Sequence, residues 1–278
     1  MIFLLLLITQ IIVESLPISS SGHVKLIESI GLRLYPQSSY NFIPKSIEYF
    51  FHGPTILILM IFFFKDIFYL LTNFSKNIDF ISYWLTLVFI ADLITVFFYF
   101  LFQYFEIKNI NFFAYFYSDF FSSSLSYFLG FLITAGLLIS LKFISNNNLT
   151  TLNYKHAIIL GIVQGISLLP GISRLASTFV AACWLGITFQ SAFYFSCAIQ
   201  FPLICAGFLK GCYFVYNNQD LFVNFLKPTW LFSLGTLISS FISLFALYFT
   251  YIILLSGYGY YFGFYMLIPV VLAFVFGI

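Results

Sequence analysis

No Asp, Glu, Lys or Arg occurs between Pro228 and Ile278, and none between Leu175 and Leu209. Each run outlasts the roughly 20 apolar residues that cross a bilayer as a helix. Charged residues make up 7% of the chain and apolar ones 62%, against about 25% charged in soluble domains. A transmembrane barrel would alternate apolar and polar residues in segments of about ten, whereas these runs are apolar on every face. The chain therefore reads as an all-α, polytopic membrane protein. Apolar segments fall at Met1–Val13, Tyr49–Phe64, Tyr83–Phe105, Phe120–Leu141, His156–Leu185, Ala192–Leu209, Trp230–Ser256 and Tyr260–Ile278, so residues 1–278 form one integral membrane domain. The first run lacks a basic leader and a small-residue cleavage site, and is expected to stay in the mature protein. A net charge of +2 on scattered basic residues excludes a nucleic-acid partner. Cys183, Cys197, Cys205 and Cys212 lack zinc spacing and read as buried thiols.

Against this background Gln10-Ile-Ile-Val-Glu14-Ser-Leu-Pro17-Ile-Ser19-Ser20-Ser21-Gly22-His23 stands out. An ionisable group at membrane depth costs about 2.5–3.5 kcal/mol on insertion scales, which marks it as functional. Pro17 interrupts this segment and Pro170-Gly171 interrupts the fifth, since proline lacks a donor and clashes with the preceding turn. Non-helical backbone at that depth needs protein or water around it, so two re-entrant broken segments lining a polar cavity are expected. Leu16-Pro17-Ile-Ser-Ser20 and Leu169-Pro170-Gly-Ile-Ser173 share Leu-Pro with Ser three residues after the proline, and Gln10 and Gln164 precede them similarly. Paired breaks of this kind predict an inverted-repeat helical bundle with its site at the repeat interface, the halves covering about 1–145 and 150–278 around the polar loop Ser145–Asn148. Lys65, Lys76, Lys142 and Lys155 put two of the loops in the cytoplasm.

Gln10 and Glu14 lie four apart on one helical face, with three serines and His23 following at the turn. Gly22 permits close backbone approach, and amides freed by a break form an anion-binding concavity. Arg174 follows Gly171 and Ser173 in the second break, and a guanidinium fork suits phosphate oxygens. A site for a phosphorylated head group results.

Glu14-Ser-Leu-Pro-Ile-Ser-Ser-Ser-Gly-His23 with Pro170-Gly-Ile-Ser-Arg174 resembles the undecaprenyl-diphosphate phosphatase family of bacterial inner membranes, and Glu48-Tyr-Phe-Phe-His52-Gly-Pro-Thr55 resembles the segment that follows the first motif there. The resemblance implies a multi-pass inner-membrane enzyme that removes the terminal phosphate of a polyprenyl diphosphate and recycles the lipid carrier for cell-wall synthesis. It also implies catalytic roles for Glu14, Ser20, His23 and Arg174, and substrate contacts from Gln10, Ser19, Ser21, Gly22, Gly171 and Ser173. The resemblance further implies a divalent cation, Mg2+ or Ca2+, with Glu14 as its protein ligand. Either Ser20 attacks with help from His23 or Glu14, or His23 attacks directly. The chain departs from the family at Leu175-Ala176, where Ser-Gly is usual, at Met266, where Arg follows Tyr, and at Gln10, where many members carry Glu.

Other readings weigh against these. Broken helices and inverted repeats also belong to transporters, so a lipid-phosphate flippase is the alternative. A type-2 phosphatidic acid phosphatase is echoed at Ser21–His23, but its upstream basic element is absent before Lys25. Glu14 and His23 could sit at a wet interface, and Arg174 could pair with Asp92 inside a span. Glu48 and His52 share a helical face as supporting residues or as an interfacial start. Gly161/Gly165, Gly207/Gly211 and Gly259/Gly263 form GxxxG pairs, which favour packing within the chain and leave a homodimer as a further expectation.

Overall fold

A computed structural model describes residues 2–34, 49–107, 124–144, 151–218 and 229–276. Within these residues the helices are α1 (Ile2–Val13), α2 (Ser20–Leu34), α3 (His52–Phe62), α4 (Phe64–Thr72), α5 (Phe74–Ile107), α6 (Ser124–Ser140), α7 (Tyr154–Ile166), α8 (Arg174–Trp184), α9 (Phe189–Asn217), α10 (Thr229–Leu255) and α11 (Tyr260–Phe276). Stretches at Phe74–Tyr104, Leu125–Phe143, Phe189–Asn217 and Trp230–Leu255 are long and apolar enough to cross a membrane. This is a polytopic all-α membrane protein. Its outer surface carries Leu85, Phe89, Phe97, Leu237 and Phe241, all largely exposed, as a lipid-facing surface requires.

The anticipated breaks fall at residues 14–19 and 167–173, leaving α1, α2, α7 and α8 too short to span alone. A third break was not anticipated: α3 and α4 meet at a 60° bend around Phe63. No Pro or Gly lies there. The bend instead sits in an aromatic cluster, with Phe62 and Phe63 edge-on to Phe193, Tyr194 and Tyr251.

Helix contacts recur in pairs. α1 packs on α10 as α7 packs on α5; α2 meets α11 as α8 meets α6; α3 meets α10 as α9 meets α5; and α6 with α11 and α3 with α9 join counterparts directly. Exchanging each helix for its counterpart leaves these contacts unchanged, the relation expected of two repeated halves. All three GxxxG pairs work inside the chain: a Cβ on Gly161 would lie 2.7 Å from the Ala91 carbonyl, one on Gly211 2.4 Å from the Phe50 nitrogen, and one on Gly263 2.8 Å from the Ile139 nitrogen. The core centres on Leu7, Ile11, Phe131, Phe179, Phe193 and Phe195. Glu48 and Ser145–Asn148 lie outside the described residues.

Candidate active site

α1 ends at Val13 and α7 at Ile166, each four residues before a proline, because the ring of Pro17 or Pro170 would collide with the carbonyl of that residue. Each break exposes polar backbone that a neighbouring helix must satisfy. At the first, Ser243 on α10 donates to the Ile11 carbonyl at 2.8 Å, and Thr250 donates to that of Ser15 at 3.1 Å. The hydroxyls of Ser15 and Ser243 also meet at 2.5 Å. At the second, Thr134 on α6 donates to the Gly171 carbonyl at 3.3 Å and accepts from the Ser173 amide at 3.1 Å. Gly171 has φ +79°, a conformation glycine adopts without penalty. Gly130 lets the turn dock on α6, since a Cβ there would lie 2.1 Å from the Pro170 carbonyl.

The chain re-enters helix the same way at both breaks. Ser19 accepts from the Gly22 amide at 3.2 Å through its hydroxyl and from the His23 amide at 3.1 Å through its carbonyl. Ser173 accepts from Ala176 at 3.3 Å and from Ser177 at 2.9 Å in the same two ways. Both are N-caps. Matching the caps sets Gln10 opposite Gln164, Ile18 opposite Ile172 and Ser20 opposite Arg174 without a gap, while the prolines are displaced by one residue. The serine and the arginine thus occupy the same place, the first residue of a half-helix whose positive end faces the cavity.

Both side chains converge on Glu14, which is 7% exposed. Arg174 Nη2 donates to its Oε1 at 2.8 Å, joined by Gln200 Nε2 at 3.4 Å. Ser20 Oγ donates to Oε2, joined by Gln10 Nε2 at 3.2 Å. A carboxylate has about four lone-pair sites, so these four donors saturate it and satisfy the buried ion pair. Glu14, Gln10, Ser19, Ser20, Ser21, Ser173, Arg174 and Gln200 line one cavity of about 210 Å³, with Leu16, Ile18, Leu168, Leu169, Ile172, Leu175 and Leu203 among its apolar walls. Such a space suits a compact phosphorylated head group. A prenyl tail would have to run outside it.

Gly22, Gly171 and His23 do not line the cavity. A Cβ on Gly22 would meet the Phe131 ring at 2.4 Å, so this glycine serves close packing of α2 on α6. His23 donates from Nδ1 to the Ser19 carbonyl at 2.6 Å, leaving Nε2 to accept from the Tyr265 hydroxyl at 3.2 Å. Its ring also packs edge-on to Phe131 and parallel to Tyr265. The imidazole that faces the cavity is that of His52 on α3. Arg174 does not pair with Asp92, which accepts from Gln164 Nε2 at 3.5 Å. Gln200 and Thr134 were not singled out by sequence reasoning, and the only signal for them is a polar group within an apolar run, whereas Tyr265 stands where the family resemblance places a Tyr.

Among the described residues no three His, Cys, Asp or Glu side chains gather as a metal cluster. The cavity offers one carboxylate, the amide oxygens of Gln10 and Gln200, and serine hydroxyls. These oxygens, beside the Arg174 guanidinium and the His52 imidazole, fit a hard cation held mainly by phosphate oxygens, the usual mode for Mg2+.

The family model described as bacitracin resistance protein BacA matches residues 3–272. Among similar proteins, an undecaprenyl-diphosphatase of Methanococcus maripaludis is 31% identical, over 79% of this chain and 82% of that one. An undecaprenyl-diphosphatase of Halothermothrix orenii is 29% identical over 90% and 87% of the two chains. Undecaprenyl-diphosphatase 1 of Bacillus cereus is 29% identical over 99% and 96%.

Proposed function

The chain belongs to the bacitracin resistance protein BacA family, and from that premise we propose that it hydrolyses undecaprenyl diphosphate to undecaprenyl phosphate and orthophosphate, recycling a lipid carrier for cell-wall synthesis. The observation that carries this reading is the Glu14 carboxylate, bonded at once by a hydroxyl from the first broken segment and a guanidinium from the second.

Ser20 Oγ attacks the terminal phosphorus, its proton passes to Glu14 Oε2, and the bond to the prenyl phosphate oxygen breaks. Water then hydrolyses the phosphoserine and releases orthophosphate. Arg174 acts twice. Before substrate enters it neutralises Glu14; when the diphosphate arrives, the fork turns to the phosphate oxygens and leaves Oε1 of the carboxylate open, while Oε2 keeps its bond to Ser20. The charge spread over the transferring group in the transition state is met by that guanidinium and by the two helix N-termini. His23 supports the turn through the Ser19 carbonyl, which favours serine over histidine as nucleophile.

A divalent cation is part of this reading: Glu14 with the Gln10 and Gln200 amide oxygens would hold it against the diphosphate, where it neutralises phosphate charge. The membrane concerned is the bacterial inner membrane. A flippase is not favoured, since transport gives no task to the hydroxyl on Glu14. The test is release of orthophosphate from undecaprenyl diphosphate by the purified protein in detergent. Activity that disappears in Ser20→Ala protein with an unchanged thermal unfolding curve is the expected result; failure of the unsubstituted protein to release phosphate overturns the reading.

A further inference from the structure

His52 is 6% exposed, lines the cavity that holds Glu14 and Arg174, and has an Nδ1 that is buried without a hydrogen-bond partner. Buried polar atoms in folded proteins are almost always bonded; the Nδ1 is closed off, and the imidazole's Nε2, which makes no hydrogen bond among the described residues, is the nitrogen left to meet what enters the cavity. The ring is held by its surroundings: a Cβ on Gly207 would lie 3.2 Å from its Cδ2, and Tyr49 packs against it at 6.2 Å between centroids. The other described cavity groups able to take a proton are few. Glu14 is the one carboxylate there, and Arg174 is a permanent cation.

The chemistry proposed above leaves a place for a second proton acceptor. After the first half-reaction Glu14 holds the proton of Ser20, and the prenyl phosphate leaves as an anion that needs none. In the second half, water must lose a proton while Ser20 Oγ must regain one. We propose that His52 is a further catalytic residue, the acceptor of the attacking water's proton. The water oxygen bonds to phosphorus, the bond from phosphorus to Ser20 Oγ breaks, Glu14 returns its proton to Oγ, and the water's proton moves to the imidazole. The imidazolium then gives that proton to an oxygen of the departing orthophosphate.

The inference rests on Ser20 as phosphoryl carrier, and the experiment separates the two. The full chain in detergent is mixed with undecaprenyl diphosphate labelled in the terminal phosphate and quenched over time. In His52→Gln and His52→Ala, about one equivalent of undecaprenyl phosphate forms per protein, label stays on Ser20, and steady-state orthophosphate release falls by about 10²–10⁴-fold, the range of general-base effects. Imidazole in the buffer partly restores turnover in His52→Ala, which a purely structural role would not permit. Turnover within about twofold of the unsubstituted protein overturns the assignment. So does loss of the first equivalent together with turnover in folded protein, which sets His52 before the phosphoenzyme. Should both variants misfold, Gly207→Ala, which crowds the ring, is expected to show the same split in milder form, and unchanged kinetics there overturn the proposal. Normal turnover by Ser20→Ala, with no label in any variant, sinks the serine carrier instead.

Discussion

The two broken segments are built alike and equipped differently. Each leaves helix four residues before a proline and resumes at a serine cap. At matched positions, though, the first carries Glu14 and Ser20 where the second carries Leu168 and Arg174. Their backbones are stabilised differently too: hydroxyls of α10 hold the first, while Thr134 and the positive φ of Gly171 hold the second. One architecture thus presents a carboxylate and a hydroxyl from one break and a guanidinium from the other. Neither is complete without the other, because Glu14 takes donors from both.

The division is sharpest in activity. Ser20→Ala is expected to lower phosphate release from undecaprenyl diphosphate by about 10⁴-fold or more, as removal of a nucleophile does. Arg174→Ala is expected to lose about 10²–10³-fold, the scale of one electrostatic contact to developing charge, and Arg174→Lys less. Equal losses from Ser20→Ala and Arg174→Ala would break the contrast between a reacting and a charging segment. The next effect is on stability. Gly171→Ala forces a side chain into the left-handed region at a cost of about 1–2 kcal/mol and sets a Cβ 2.7 Å from the Tyr127 carbonyl. Its thermal unfolding midpoint in detergent is expected to fall clearly below that of Pro17→Ala, where the backbone is held by Ser243 and Thr250. Smallest are Ser19→Ala and Ser173→Ala, each expected to cost about 1 kcal/mol as a lost cap. A marked inequality between those two would show that the capping geometry is not shared.

Much of this contrast was legible in the chain itself, for a physical reason. Charges are so costly in lipid that Glu14 and Arg174 announce themselves, and proline leaves little freedom about where α1 and α7 stop. Neutral polar groups carry no such penalty signal. Gln200 and Thr134 each sit in an apolar run like any other amide or hydroxyl, and only the packing of α9 and α6 brings them to Glu14 and Gly171. The bend at Phe63 has no breaker residue and depends on aromatic contacts distant in sequence. The likeness of the two breaks was visible, but its register was not: the prolines suggest pairing Ser20 with Ser173, whereas the caps pair Ser20 with Arg174. His23 carries the stronger motif and His52 faces the cavity. Sequence proximity to Ser20 is a poor guide to which way an imidazole points.

The bond between Glu14 and Arg174 joins residues separated by more than half the chain. During synthesis the N-terminal half enters the bilayer well before the arginine has been translated, so its carboxylate waits without a counter-ion. Closure of that pair therefore waits for the second half, so the surroundings of the carboxylate are settled only when both halves are present.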